Sequence, residues 1–432
     1  MEKSGTRLFL FLISTFLALL VWHPLVHAQM SQSLEAKAGV GRTVSVPFQH
    51  EHPEKGKFEL YYELGKVFDP GKRTVFVIAD GQQFYVRKGL VAPLQDMLFG
   101  DSFNVVGIVG RGATEAALQQ VKRSSVDWLT AYEVLKSDEW IEDIELVRKD
   151  LLGPSGSISL YGRSGGALLV HQYIAKHPQH VISVFTQAAV NRYLDAEFGL
   201  CSDTFWDEIG HYDSALQPLL LEALSRHPAE RAKIILLLQR QNFFVPAAQI
   251  ASERAKLIHT LHDWDETLIA QFSKDYQVGA ITQLLSAGDP TTSVRLFELY
   301  PPLSASKSSA QKRVDPDIEV GKMFAAPLLQ LLEKKQIAAP TMDFRAAHET
   351  RADVYLVAGR FDHTADYRSQ IALASQYPNR RLLLLRDDHD FLELAKTGLY
   401  PRLVQAALAD GIHGPEKAGI ESQLSALIYR EY

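Results

Sequence analysis

The chain has 432 residues, of which 46% are hydrophobic and 22% are charged, and its formal net charge at pH 7 is −6. The apolar fraction supports a sizeable buried core without disulfide bonds. A mild acidic balance with no basic cluster argues against nucleic acid as a partner. Cys201 is the single cysteine, which excludes an internal disulfide and a cysteine-based metal site.

Residues 1–28 have the pattern of a secretory signal peptide. A basic head precedes an apolar run over residues 8–22, and Val26-His27-Ala28 resembles a signal-peptidase site. The apolar run is shorter than the ~20 residues that a transmembrane helix needs. We therefore expect cleavage before Gln29, export to the periplasm or the medium, and no stable membrane association. An uncleaved N-terminal anchor is the alternative.

The next segments predict a sheet that is buried on both faces. Residues 43–48 and 58–64 alternate with period two, which predicts an antiparallel hairpin. Residues 74–79 and 103–109 are near-continuous apolar runs, typical of strands covered on both faces, and a helix is predicted between them over residues 86–98. A helix over 138–152 follows, and further strands are predicted at 157–161 and 181–185.

The alternation of strands and helices stops near residue 190 and resumes near residue 353. Helical periodicity with almost no strand signal fills the region between them. Strands return at 353–359 and 380–385. We therefore predict one mainly parallel sheet, with a core in two parts (29–189 and 345–432) and a helical cap inserted over 190–344.

The strand that ends near Tyr161 runs into Gly162-Arg163-Ser164-Gly165-Gly166, which matches the pattern G-x-S-x-G. In such an elbow a buried strand turns sharply into a helix and holds the serine on strained backbone. Glycines are needed because a Cβ in so tight a bend would collide with neighbouring backbone. Ser164 is therefore the predicted nucleophile. The alternative is a simple strand–turn–helix junction.

Two further strand ends supply the partners that a serine nucleophile needs. Asp362 follows the strand at 353–359, and His389 follows the strand at 380–385. The chain order Ser, Asp, His is that of the α/β-hydrolase triad, with His389 as base and Asp362 as the group that orients it. His363 is the alternative base and Asp366 the alternative acid. Asp387, Asp388 and Asp390 surround His389 and are expected to be solvated loop charges; the alternative is that they raise the pKa of His389.

The oxyanion hole is predicted from position alone. One donor is the amide of Gly165, and the second comes from the loop after the strand at 74–79. Gly81 lets backbone approach a substrate closely, so the second donor is the amide of Gly81 or of Gln82. No pattern suggests a metal site, and we predict neither a metal nor a cofactor.

These features resemble the α/β-hydrolases of the prolyl aminopeptidase (proline iminopeptidase) and tripeptidyl aminopeptidase branch. The resemblance covers about residues 58–183 and 353–409. It is carried by the acidic helix segment Asp143-Ile144-Glu145-Leu146-Val147-Arg148, the elbow, His177-Pro178, Gly359-Arg360-Phe361-Asp362 and His389. The family's oxyanion loop is of the type His-Gly-Gly-Pro-Gly, where this chain has Ala79-Asp80-Gly81-Gln82-Gln83.

The resemblance implies an α/β-hydrolase fold and a serine aminopeptidase that acts on short peptides. It also implies cap carboxylates that bind a free substrate amine, for which Glu197 is the nearest candidate. Two other functions stay open. The same triad serves a carboxylic ester hydrolase, and the altered oxyanion loop is compatible with a catalytically silent binding protein of this fold. In each case the partner is a small molecule or a short peptide.

Overall fold

The computed structural model describes residues 39–80, 86–122, 124–192, 204–300 and 313–432. The predicted signal peptide, Cys201 and three predicted site residues (Gly81, Gln82 and Glu197) lie outside these ranges. Within them, no helix is both long and apolar enough to cross a bilayer. The chain divides into two compact units. We call them the sheet unit, with described residues 39–80, 86–122, 124–192, 290–300 and 324–432, and the helical unit, with described residues 204–289 and 313–323.

The sheet unit is built on one sheet, which has nine strands in the described part of the chain. Their spatial order is β1-β2-β4-β3-β5-β6-β7-β8-β9. In chain order they are β1 Val40–Pro47, β2 Lys57–Leu64, β3 Arg73–Ile78, β4 Phe103–Ile108, β5 Ile158–Arg163, β6 Val181–Gln187, β7 Asp353–Gly359, β8 Arg380–Leu385 and β9 Ile428–Glu431.

Pairing in the centre of the sheet is parallel, as predicted. β3 pairs with β4 and β5, and β5, β6, β7 and β8 follow one another in parallel register. The predicted hairpin is confirmed, with Val44 opposite Leu60 in the antiparallel pair β1–β2. Because the central strands run in one direction, their carboxyl ends meet at one edge of the sheet, where ligand sites of such sheets form.

Burial on both faces explains why the central strands have no polar alternation. Val75 and Val77 of β3 belong to one apolar cluster, and Phe76 and Ile78 to the other. Successive side chains of a strand point to opposite faces, so burial on both faces favours apolar residues at consecutive positions. The sheet therefore separates two cores, each covered by helices.

The helices of the sheet unit follow the predicted alternation, with some changes. The predicted helix over residues 86–98 is shorter, since its α-helical turn begins only at Val91 and continues as a π turn to Phe99. The helices are α1 Val91–Leu94, α2 Glu115–Val121, α3 Trp128–Leu135, α4 Ser137–Leu152, α5 Ser164–Lys176, α12 Pro290–Leu299, α14 Tyr367–Ala374, α15 Leu392–Lys396, α16 Tyr400–Asp410 and α17 Pro415–Gln423.

The helical unit contains no strand in its described residues. Its helices are α6 Thr204–Tyr212, α7 Leu216–Arg226, α8 Arg231–Phe244, α9 Ile250–Asp263, α10 Glu266–Asp275 and α11 Val278–Ala287. The helix α13 Pro316–Glu333 begins in this unit and ends in the sheet unit. The predicted insertion 190–344 is thus divided, because α12 and residues 324–344 cluster with the sheet.

Candidate active site

The elbow around Ser164 has the backbone geometry that its sequence pattern predicts. β5 ends at Arg163 and α5 begins at Ser164, whose φ of 52° lies in the left-handed region. Side-chain-bearing residues rarely adopt this region, and such strain clusters at functional sites. A Cβ at Gly162 would lie 2.8 Å from the carbonyl oxygen of Gly166 and 2.9 Å from Cα of Ala167. The turn therefore requires glycine at position 162.

Three predicted residues meet in one hydrogen-bonded chain. Nε2 of His389 lies 3.1 Å from Oγ of Ser164, and Nδ1 of His389 lies 2.8 Å from Oδ2 of Asp362. The other oxygen of Asp362 accepts hydrogen bonds from the backbone amides of Thr364 (2.9 Å) and Ala365 (2.8 Å), which fix the carboxylate. Because Nδ1 faces a carboxylate, it carries the proton, and Nε2 is the nitrogen that accepts from the Ser164 hydroxyl.

The surrounding charges set the proton affinity of His389. Burial lowers the pKa of the imidazole, but the charge of Asp362 and its hydrogen bond raise it, and the pKa comes to about 9. Asp390 raises it further and Arg163 lowers it. Burial also raises the pKa of Asp390, to about 6, against the opposing charge of His389. The imidazole thus gains its neutral, proton-accepting form as the pH rises towards 9.

The alternative acid is occupied elsewhere. Oδ1 of Asp366 accepts a hydrogen bond from the amide of Arg368 at the start of α14, and both carboxylate oxygens contact the Arg368 guanidinium. The imidazole of His389 connects Ser164 to Asp362. The alternative base, His363, is not part of these two hydrogen bonds.

One prediction about the acidic residues near His389 is wrong. Asp387 is 1% exposed, so it is not a solvated loop charge. Its carboxylate accepts hydrogen bonds from the amides of Leu394 (2.8 Å) and Glu393 (3.2 Å) in the first turn of α15. Burial raises the pKa of Asp387 to about 7. Its place is structural, because these bonds tie the His389 loop to α15.

The predicted oxyanion region contains a group that the sequence did not point to. Gly165 is the second residue of α5, so its amide has no acceptor within the helix. The carboxylate of Asp80, just after β3, fills the space where a Cβ of Gly165 would lie. The side chain of Leu299 also borders this space. A buried carboxylate therefore lies against the backbone beside Ser164.

Arg163 is a second residue whose surroundings the sequence did not reveal. It lies opposite Gln187 in the parallel pair β5–β6. With its amide oxygen towards Arg163, Gln187 accepts from Nε at 3.3 Å and Nη2 at 3.0 Å, and its Nε2 donates to the hydroxyl of Tyr400. Tyr400 in turn bonds the hydroxyl of Tyr161. The sequence indicates the proximity of Arg163 and Gln187 only through their places at the carboxyl ends of two parallel strands, β5 and β6.

In the described part of the chain, no group of three or more His, Cys, Asp or Glu side chains is placed to hold a metal ion. The site is instead a set of proton donors and acceptors around a serine hydroxyl. Such a set can activate the hydroxyl as a nucleophile and hold a charge that develops next to it.

No protein-family model and no curated protein sequence matches this chain. Solved structures with similar folds include VinJ, with 12% identity, a TM-score of 0.43 and coverage of 86% of this chain and 99% of that one. The esterase EaEST from Exiguobacterium antarcticum shares 11% identity, with a TM-score of 0.39 and coverage of 80% and 95%. MGS-M2, an α/β hydrolase from a Medee basin deep-sea metagenome library, shares 12%, with a TM-score of 0.39 and coverage of 80% and 92%.

The fold can be assigned from the chain itself. A mainly parallel sheet carries Ser164 at the turn from β5 to α5, an aspartate after β7 and a histidine after β8. A helical unit is inserted between β6 and β7. The branch within the superfamily stays a prediction. This chain has the α/β-hydrolase fold.

Proposed function

We propose that this protein is a serine hydrolase that transfers an acyl group first to Ser164 and then to water. The observation that carries the proposal is the hydrogen-bonded chain from Asp362 through His389 to Ser164, on an elbow where φ of the serine is 52°. A base within hydrogen-bond reach of a serine that lies on strained backbone at the start of a helix is the arrangement that nucleophilic catalysis needs.

In the first half of the proposed reaction, Oγ of Ser164 attacks the carbonyl carbon and its proton passes to Nε2 of His389. The carbon–oxygen bond forms while the carbonyl electron pair moves to the oxygen, which becomes an oxyanion. When the oxyanion collapses, the bond to the leaving group breaks and the leaving group takes the proton from the imidazolium. Asp362 stabilises that imidazolium without accepting its proton.

In the second half, water repeats these steps on the acyl-enzyme. Water gives a proton to His389 as its oxygen attacks the acyl carbon, and a second oxyanion forms. Its collapse breaks the bond between the acyl carbon and Oγ of Ser164, and Oγ takes the proton from the imidazolium. Each oxyanion forms beside the N-terminus of α5, where the amide of Gly165 and the positive end of the helix dipole favour negative charge.

For the substrate, we propose a short peptide with a free amino terminus. The support is the resemblance of the elbow, the acidic helix and the Asp362 and His389 motifs to the aminopeptidase branch. Glu197 is the proposed partner of the amine. A carboxylic ester is the alternative substrate, and one observation is compatible with a catalytically silent binding protein of this fold. The loop after β3 begins Ala79-Asp80, with a carboxylate next to Gly165, where that branch has a glycine-rich oxyanion loop.

A substrate panel on the purified mature protein separates these functions. We expect hydrolysis of prolyl and alanyl p-nitroanilides, loss of activity on the N-acetylated anilides, and loss of all turnover in Ser164→Ala. The acetylated substrates are the matched control, because they differ only in the amine. Turnover of p-nitrophenyl butyrate without any anilide would identify an ester hydrolase. No turnover of any substrate, with wild-type folding, would identify a binding protein.

We also propose that the chain is exported and that residues 1–28 are removed. The support is the short apolar run between a basic head and a small-residue site. N-terminal sequencing of the exported protein should begin at Gln29. Recovery of an intact Met1 in the membrane fraction would contradict it.

A further inference from the structure

The buried carboxylate of Asp80 lies next to the place where the proposed reaction develops negative charge. Asp80 is 3% exposed, and one of its oxygens fills the space beside Cα of Gly165. Gly165 follows the proposed nucleophile directly and supplies the proposed oxyanion donor. An ionised carboxylate at this position opposes an oxyanion, since like charges in a poorly solvated site repel strongly.

A fully buried arginine faces that carboxylate. Nε of Arg295, on α12, lies 4.0 Å from Oδ2 of Asp80. Nη1 of Arg295 lies 2.5 Å from Oε2 of Glu298, and Oε1 of Glu298 accepts the backbone amide of Ser137 at 2.8 Å. Glu298 therefore has a partner on each carboxylate oxygen, and the Arg295 guanidinium lies between Glu298 and Asp80.

Two nitrogens of the Arg295 guanidinium make no hydrogen bond within the described residues. Nε and Nη2 of Arg295 are both buried, and neither donates a hydrogen bond to an acceptor among the described residues. A buried cation is costly unless it is paired. Glu298 satisfies only one nitrogen, so the charge on the side facing Asp80 stays available to that carboxylate.

We propose that Arg295 is a positioning residue that neutralises Asp80, so that the oxyanion can form beside the amide of Gly165. This inference rests on the proposed serine hydrolase function. Arg295 acts through Asp80 and does not touch the substrate. The charge of Asp80 alone would disfavour the transition state, and Arg295 removes that penalty.

A purely structural role is the rival explanation. Arg295 could serve only to hold α12 against the start of α4 through Glu298 and Ser137. That role predicts a loss of stability when Arg295 is replaced, with the reaction of the folded protein unchanged. It also predicts no benefit from removing the charge of Asp80.

The test measures inactivation by an alkyl fluorophosphonate. Oγ of Ser164 bonds to phosphorus, its proton passes to His389, and fluoride leaves, while negative charge develops on the phosphoryl oxygen in the transition state. All variants carry Glu298→Gln, which keeps an acceptor for Ser137 while removing the second carboxylate near Arg295. In this background Arg295→Met should lower kinact by about ten- to hundredfold and leave KI within about threefold. Adding Asp80→Asn should then restore kinact by at least about tenfold.

The conservative variant Arg295→Lys keeps the charge and should hold kinact within about threefold of the background. If Arg295→Met does not fold by circular dichroism, Arg295→Gln replaces it, because the amide still gives position 298 a donor. An unchanged kinact, or no recovery with Asp80→Asn, would overturn the role of Arg295 alone. Failure of the unaltered protein to react at Ser164 would instead overturn the proposed function.

Discussion

Replacing Gly162 with alanine tests the geometry of the elbow directly. The added Cβ would lie 2.8 Å from the carbonyl oxygen of Gly166, and 2.9 Å from both Cα of Ala167 and Cγ2 of Val170. Real Cβ atoms essentially never approach other atoms closer than 3.0 Å. Two of these three neighbours are backbone atoms in the first turn of α5, so the helix start itself must move.

The structure gives the scale of the effect. Overpacking of a close-packed core costs about 1–3 kcal/mol, so we expect a fall of this size in the free energy of unfolding. The displaced turn carries Ser164, and a shift of about 1 Å in a reacting group can cost about a hundredfold in rate. We therefore expect turnover per folded molecule to fall by up to about a hundredfold, in addition to the loss of stability.

The matched control is Gly419→Ala in the middle of α17. No heavy atom lies within 4 Å of the Cβ that this change adds. Alanine favours a helix over glycine by about 1 kcal/mol, so this variant should be unchanged or slightly stabilised. Urea unfolding measures stability, and hydrolysis of the best panel substrate measures turnover. Wild-type stability and turnover in Gly162→Ala would refute the steric reasoning.

Three other outcomes follow from the contacts around the site. With the pKa of His389 at about 9, kcat/KM should rise about fiftyfold from pH 7 to pH 9, because only the neutral imidazole accepts the serine proton; a plateau already at pH 7.5 would contradict this. Asp362→Asn should move that limb to lower pH and cut kcat by up to about 10⁴-fold, and an unmoved limb would remove Asp362 from the site. Arg148→Met should lower the free energy of unfolding by about 3 kcal/mol, because it leaves the buried Glu145 without its guanidinium partner. Lys149→Met, which removes the more exposed partner of the same carboxylate, is the comparison, and equal stability of the two variants would count against the buried pair.

The central fold and the three triad residues could be predicted because their signals are local. Strands buried on both faces are mostly apolar at consecutive positions, and the bend at Gly162 admits no side chain. Chain order then selects Asp362 and His389, because parallel strands bring their carboxyl ends to one edge. Short local patterns in the sequence are therefore sufficient to predict the fold class and the three triad residues.

Other features depend on contacts between distant segments. The apolar residues Ile420, Leu424, Leu427 and Ile428 have amphipathic helical spacing, yet Ile428 begins β9 and pairs with β8. The open edge of the sheet decides the conformation there, as tertiary context often overrides local pattern. The sequence alone cannot show that the edge of β8 is available to pair with the C-terminal segment.

The same limit applies to buried charge. Asp387 stands in an acidic run that is typical of an exposed loop, but it caps α15 inside the protein. Asp80 and Arg295 are far apart in the chain and meet only after the sheet and α12 have packed. No periodicity or motif encodes such a pairing, because it depends on the assembled core.

The identity of the nucleophile is the central claim, and one measurement tests it most directly. The mature protein is treated with a fluorophosphonate, digested, and analysed by peptide mass spectrometry, beside a folded His389→Ala variant. We expect one adduct, on Ser164, with labelling in the variant slower by about a hundredfold or more because the serine keeps its proton. A folded protein that carries no adduct on Ser164, or one labelled there at the same rate without His389, would contradict the account.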